Sequence, residues 1–153
     1  MRLLSLLLVF AFATPAFAED IIKNQPLSAQ DMEKLLPGKT IKGEYRFLRQ
    51  RTKTFNFRET HYADGITAYE EGALKVAGRW YTLGERKICY KYPDEPDMGI
   101  SCFWVYKSND GSGDCYYGYG VQSMTPKGPR RYADWSARWI VEGTGGSCRE
   151  PVS

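Results

Sequence analysis

An all-β domain with one short amino-terminal helix is the fold class this sequence predicts, about eight short antiparallel strands arranged as a sandwich or an up-and-down barrel. Three observations predict it. Short runs rich in valine, isoleucine, tyrosine, phenylalanine and tryptophan recur at even spacing from residue 40 onward. Turn residues, chiefly glycine with aspartate or proline, punctuate them. Four cysteines stand among the later runs. β-Branched and aromatic side chains suit a pleated, half-buried surface.

The chain opens on "MRLLSLLLVFAFATPAFA", a basic start at Arg2, an apolar run from Leu3 to Ala13 and a small-residue ending, Ala16-Phe17-Ala18. That is the pattern of a secretory signal peptide, too short and wrongly flanked for a spanning helix. Residues 1–18 are therefore expected to be removed, leaving 19–153 as a single domain. No cysteine follows the cleavage point to accept a lipid, and no later apolar run reaches spanning length, so a soluble exported protein is expected, most simply in a bacterial periplasm. The strands are too polar for an outer-membrane barrel, which needs an outward apolar band. The formal charge of +3 includes Arg2. Without a concentrated basic footprint it argues against nucleic-acid binding.

The elements follow in order. In "LSAQDMEKLLPG", Ser28 can cap a helix, Asp31 falls in its first turn, Met32, Leu35 and Leu36 share a face, and Pro37-Gly38 end it. "TIKGEYRFL" is a first strand. "TKTFNFRETHY" and "ITAYEEG" flank Asp64-Gly65, read as a two-residue hairpin turn. "LKVAGRWYTL" and "KICYKY" flank Gly84; "ISCFWVYK" and "CYYGYGV" flank "SNDGSGD". The long loop "QSMTPKGPRRYAD" leads to a last strand, "WSARWIV", and a glycine-rich tail.

In an oxidising compartment an even number of cysteines reads as disulfides, and four allow three connectivities. Pairing the strands on either side of "PDEPDM" sets Cys89 opposite Cys102, within bridging reach. The same register sets Ile88 opposite Phe103, Tyr90 opposite Ser101, and Lys87 beside Trp104. Cys115 with Cys148 would then tie the tail to the third hairpin. The rival set, Cys102 with Cys115 and Cys89 with Cys148, also fits the turns, and the first set is favoured.

The runs "LLPGKTIKGEY", "HYADGITAY" and "AGRWYTLGERKICYKY" resemble the small secreted lipocalin-like proteins of proteobacteria and related domain families of uncharacterised function. The resemblance covers most of residues 19–153. It implies an eight-stranded antiparallel up-and-down barrel or half-open barrel with a mouth or cavity, and it brings no catalytic residues.

Candidate site residues come from three places. In the Asp64-Gly65 hairpin, a two-residue turn sets His61 opposite Ala68 and Glu59 opposite Glu70, with all of the acidic and imidazole groups towards the apolar face. Two opposed carboxylates in a low-dielectric place repel and raise a pKa; the same groups near a hairpin tip can instead be solvated or paired with Arg58 or Lys75. Trp80 and Trp139, alternating with Val76, Ala137 and Val141 and in line with Trp135, read as core or cavity wall. Trp80 shares a face with Ile88 and Tyr90 only if the turn at Gly84 holds three residues. Tyr116, Tyr117 and Tyr119, interleaved with Gly118 and Gly120, form either a stacking surface for a sugar or peptide or ordinary strand packing. The candidate ligand-binding set is thus Glu59, His61, Glu70, Trp80, Tyr90, Tyr117, Tyr119 and Trp139.

Nothing assembles a nucleophile with its base: there is one histidine, and no G-x-S-x-G elbow. The cysteine spacing fits no zinc site, and "PDEPD" lacks the glycine and spacing of a calcium loop. No catalytic residue, cofactor or metal is expected. The expected function is non-catalytic binding by a monomer, of a small apolar or aromatic molecule within the barrel or of a glycan or peptide on its rim. The alternative is an envelope interaction or inhibitor module presenting loop 93–99 or the basic loop 122–134 (Lys127, Arg130, Arg131). A hydrolase using Glu59, His61 and Glu70 is the remaining reading.

Overall fold

The computed structural model describes residues 24–47, 53–108 and 113–148; the expected signal peptide lies outside them. Its elements are β1 (Gln25–Pro26), α1 (Ala29–Leu35), β2 (Lys39–Tyr45), β3 (Phe55–His61), β4 (Ile66–Glu71), β5 (Leu74–Leu83), β6 (Lys87–Lys91), β7 (Ile100–Lys107), β8 (Tyr116–Tyr119), β9 (Met124–Thr125), β10 (Gly128–Pro129) and β11 (Ala137–Val141). Strands β2 to β7 follow one another as antiparallel neighbours, β11 pairs with β2, and β8 bridges β11 to β7. The sheet therefore closes into an eight-stranded barrel, which removes unpaired edges. Its eight strands follow one another round the wall in chain order, the up-and-down arrangement. The two-residue β1 extends the wall beside the far half of β7, and β9 and β10 form a separate small hairpin.

One end of the barrel is closed by α1. Ser28 and Asp31 form a reciprocal cap, the Ser28 hydroxyl accepting from the Asp31 N–H and the Ser28 N–H donating to the Asp31 carboxylate. The helix is anchored through the Ala29 N–H to the Glu85 carbonyl and, just beyond it, the Gly38 N–H to the His61 carbonyl. Leu27, Met32 and Leu36 are buried with Ile41, Trp80, Ile88 and Val105 in the main core. This apolar plug supplies the helix with the stability that seven residues lack by themselves.

The cysteines pair as Cys89–Cys102 and Cys115–Cys148. Cys89 lies directly across from Cys102, Ile88 from Phe103 and Tyr90 from Ser101, and the Lys87 ammonium sits 5.2 Å from the Trp104 ring. The bridge thus braces the outside of the β6–β7 wall while Ile88, Tyr90 and Phe103 turn inward.

Two hairpins differ from each other in how well their turns are read. Between β5 and β6 the last pair is Leu83 with Lys87, a three-residue turn, so Trp80 faces Tyr90. Between β3 and β4 the Tyr62 N–H bonds the Ile66 carbonyl and the Gly65 N–H bonds the Tyr62 carbonyl, again leaving three residues in the loop. Gly65 takes φ +81°, the left-handed position that ends such a loop, and the Asp64 carboxylate accepts from the Ile66 N–H. The expected two-residue turn is therefore corrected: His61 stands opposite Thr67, Glu59 opposite Tyr69, and Arg58 opposite Glu70. A one-residue change exchanges the faces of β4, which carries Glu70 outward and Tyr69 inward.

Outside the barrel a second cluster covers β7 and β8. Tyr106, Cys115, Tyr117, Tyr119 and Trp135 are buried there, with Trp104, Met124 and Cys148 packed against them. The segment after β8 folds over this face: the Tyr119 hydroxyl donates to the Tyr132 carbonyl and the Arg130 N–H to the Ser123 carbonyl. Tyr117 and Tyr119 of β8 are buried as a result, while Tyr116 of the same strand packs into the main core. Trp135 precedes β11 rather than alternating within it, so it belongs to this outer layer and not to the interior with Trp139.

Candidate functional site

The end of the barrel away from α1 opens into a cavity of about 580 Å³, within the range of small-molecule sites. Its walls are Ile41 and Tyr45 of β2, Phe57 and Glu59 of β3, Tyr69 of β4, Tyr90 of β6, Tyr92 just beyond it, Ser101 and Phe103 of β7, and Ala137 and Trp139 of β11. Arg46, Phe47, Asp97, Met98, Val121 and Gln122 stand at its mouth. Phe47 and Val121 are exposed there. Alternation produces this lining directly, because inward residues recur every second position along each strand.

Space for the Tyr92 ring comes from a missing side chain. A Cβ on Gly78 would lie 2.5 Å from Cδ1 of Tyr92, so only glycine there lets the tyrosine lie across β5. Within the cavity Phe57 and Tyr69 stack with ring centres 5.9 Å apart, and Tyr69 meets Tyr92 at 5.5 Å. The Tyr69 hydroxyl donates to Glu71 at 2.8 Å and that of Tyr45 to the same carboxylate at 3.3 Å.

Glu59 is the chemical centre of the cavity. Its residue exposure is 4 %, and its Oε1 accepts from the Tyr92 hydroxyl at 2.6 Å and the Thr67 hydroxyl at 2.9 Å. Oε2 has no hydrogen-bond partner, and no ion pair reaches the carboxylate, among the described residues. Burial pushes Glu59 up to about 7, outweighing the two hydroxyl donors that favour its anion. Burial and the Glu59 charge likewise push the Tyr90 and Tyr92 hydroxyls well above their ordinary range. Both phenols therefore stay protonated and remain donors.

His61 lies below the cavity, towards the helix-closed end. It is fully buried; Nε2 is 3.0 Å from the Tyr90 hydroxyl, and its ring meets the Trp80 ring edge-on at 5.5 Å. Burial drives it down to about 4, against backbone carbonyls of Lys39 and Glu59 that favour the cation. A neutral imidazole is thus part of the floor. The Trp80 indole N–H donates to the Tyr62 carbonyl, fixing the other side of that floor.

The structure brings together Glu59, Tyr90 and Trp139 on the cavity wall, with His61 and Trp80 directly beneath. It does not bring Glu70 there: that carboxylate is on the outer surface, 3.4 Å from Lys75. The opposed carboxylate pair that a hydrolase would use does not form. Tyr117 and Tyr119 face the outer layer, with no surface left for stacking a sugar. Sequence reasoning missed Phe57, Tyr69, Tyr92 and Thr67 as site residues. Tyr92 continues the Ile88–Tyr90 alternation, a signal that was present; Tyr69 and Thr67 depend on the β3–β4 loop length.

Chemically, the site offers aromatic faces for an apolar body and one carboxyl whose proton is held near neutrality. Among the described residues no three histidine, cysteine or acidic side chains converge to hold a metal, and no helix is long and apolar enough to cross a membrane. No known protein family, no curated protein and no solved structure matches this chain.

Proposed function

We propose that this protein is an exported, non-catalytic binding protein that takes a small apolar or aromatic molecule into the barrel. The observation that carries the reading is the open cavity walled by Phe57, Tyr69, Tyr90, Tyr92, Phe103 and Trp139. A folded domain that leaves such a volume unfilled forgoes the packing contacts that normally stabilise a core, and a ligand restores them. Export is supported by the two disulfides and by the leader pattern of the first residues.

The test is a titration of tryptophan fluorescence with a panel of fatty acids, aromatic acids, alcohols and amines. At least one class should shift or quench the emission saturably, Trp139 being in the wall. Ser101 lines the same space, so Ser101→Phe should fill it and weaken binding at least tenfold while the circular dichroism spectrum stays unchanged. No saturable response to any class would overturn the reading. So would a Ser101→Phe variant that binds as the parent does.

A further inference from the structure

Resting on that reading, we propose that the cavity selects a lipophilic amine, its ammonium N–H donating to Oε2 of Glu59 and its apolar body lying among Phe57, Tyr69, Tyr92 and Trp139. Four features of the site converge on this chemistry. The carboxyl lies on the cavity wall with one oxygen doubly bonded by Tyr92 and Thr67 and the other without a protein partner. No lysine or arginine among the described residues pairs with it. A buried acidic group in this state has its charge suppressed until a cation arrives. Aromatic ring faces surround it, and such faces attract a cation electrostatically when water is excluded.

Anionic ligands fit less well. Their carboxylate would meet Glu59, the Glu71 carboxylate behind Tyr69, and Asp97 at the mouth. Arg46, the cation nearest that mouth, is engaged with the Trp135 and Ala133 carbonyls and lies on the Trp135 ring. The titratable groups around Glu59 are His61 on its own strand, Tyr69 on β4, and Tyr90 and Tyr92 at β6. The tyrosines stay neutral at physiological pH and His61 is already uncharged above about 4. Glu59 is therefore the group whose proton leaves when a cation binds.

The experiment compares 4-phenylbutylamine, 4-phenylbutan-1-ol and 4-phenylbutyrate by isothermal titration calorimetry in buffers of different ionisation enthalpy. The amine should bind most tightly and the acid least. Amine binding at pH 6 should release close to one proton and at pH 8 almost none, and the alcohol should release none at either pH. Amine affinity should fall roughly tenfold from pH 8 to pH 6, since the carboxyl must ionise before pairing. Glu59→Gln should erase the amine preference and the proton release.

Equal affinity for amine and alcohol, or amine binding with no proton release in the unaltered protein, overturns the amine assignment and leaves the cavity reading standing. Failure of all three probes overturns the assignment as well, and the wider ligand panel then decides the cavity reading separately. Because the proton count is measured on the parent protein, the result holds even if the Glu59 variant does not fold.

Discussion

Glu59 and His61 sit two residues apart on the inward face of β3 and carry opposite proton linkages. Glu59 is raised from 4.5 to about 7 on folding, so its contribution is fully present below pH 4.5 and is lost as pH rises through 7. His61 is lowered from 6.5 to about 4, so its contribution is present above pH 6.5 and is lost as pH falls through 4. Between pH 4.5 and 6.5 the native state holds the Glu59 proton and the unfolded chain holds the His61 proton, and the two slopes cancel. Each slope is about 1.4 kcal/mol per pH unit. Glu59→Gln should therefore make stability fall on acidification across that window relative to the parent, and His61→Gln should make it rise. Urea midpoints at pH 4.5 and 6.5 read both. Variant and parent curves that run parallel would refute the linkage.

The same residues mark the limit of legibility at this scale. Glu59 and His61 are inward because alternation from Phe55 and Phe57 places them there, and that could be read from β3 alone. Their neighbours could not. Glu70 and Tyr69 exchange faces with one added residue in the β3–β4 loop, and "ADG" accommodates either turn. The energetic difference between two- and three-residue loops lies in how the whole strand packs, which a local dipeptide signal does not carry.

At the scale of elements, the β5–β6 hairpin and the cavity depend on one another through Gly78. An added methyl there would press on the Tyr92 ring at 2.5 Å and on the Lys91 carbonyl oxygen at 2.8 Å. Gly78→Ala should destabilise the protein by about 1–3 kcal/mol, the usual magnitude of overpacking. It should also move Tyr92 away from Glu59, weakening a bond that favours the anion and raising the carboxyl pKa further. Removing the ring relieves part of the clash, so Gly78→Ala and Tyr92→Ala should be less than additive. A double-mutant cycle by denaturant unfolding checks this; full additivity would show that glycine is needed only for the backbone approach. The strand runs and the Cys89–Cys102 register were legible because both follow from short-range alternation across one turn. The second layer was not. Tyr117, Tyr119 and Trp135 are buried by the segment after β8, and no periodicity in "QSMTPKGPRRYAD" announces that this loop folds back as a cover.

At the scale of the whole molecule, closure of the barrel rests on β8, a four-residue strand that pairs with β7 on one side and β11 on the other. So short a strand supplies few ladder bonds, and its position is reinforced by the outer aromatic layer and by Cys115, which lies immediately before it and is bonded to Cys148 beyond β11. The two bridges should therefore differ in effect as well as in size. Chain entropy assigns about 4 kcal/mol to the longer Cys115–Cys148 loop and about 3 kcal/mol to Cys89–Cys102. Losing Cys89–Cys102 leaves a hairpin whose ladder is intact, so stability should drop with the seam still shut. Losing Cys115–Cys148 releases the strand that closes the cylinder. Paired serine variants should show this in hydrogen exchange. The amides of Tyr116–Tyr119 and their partners on β7 should lose protection selectively in Cys115→Ser/Cys148→Ser, at a concentration of denaturant where β3–β6 remain protected. Ligand affinity should weaken in the same variant, because Trp139 and Ala137 of the cavity wall lie on the strand beside the opened seam. Uniform loss of protection across all strands would mean that the barrel opens only by global unfolding, and the seam would then have no separate existence.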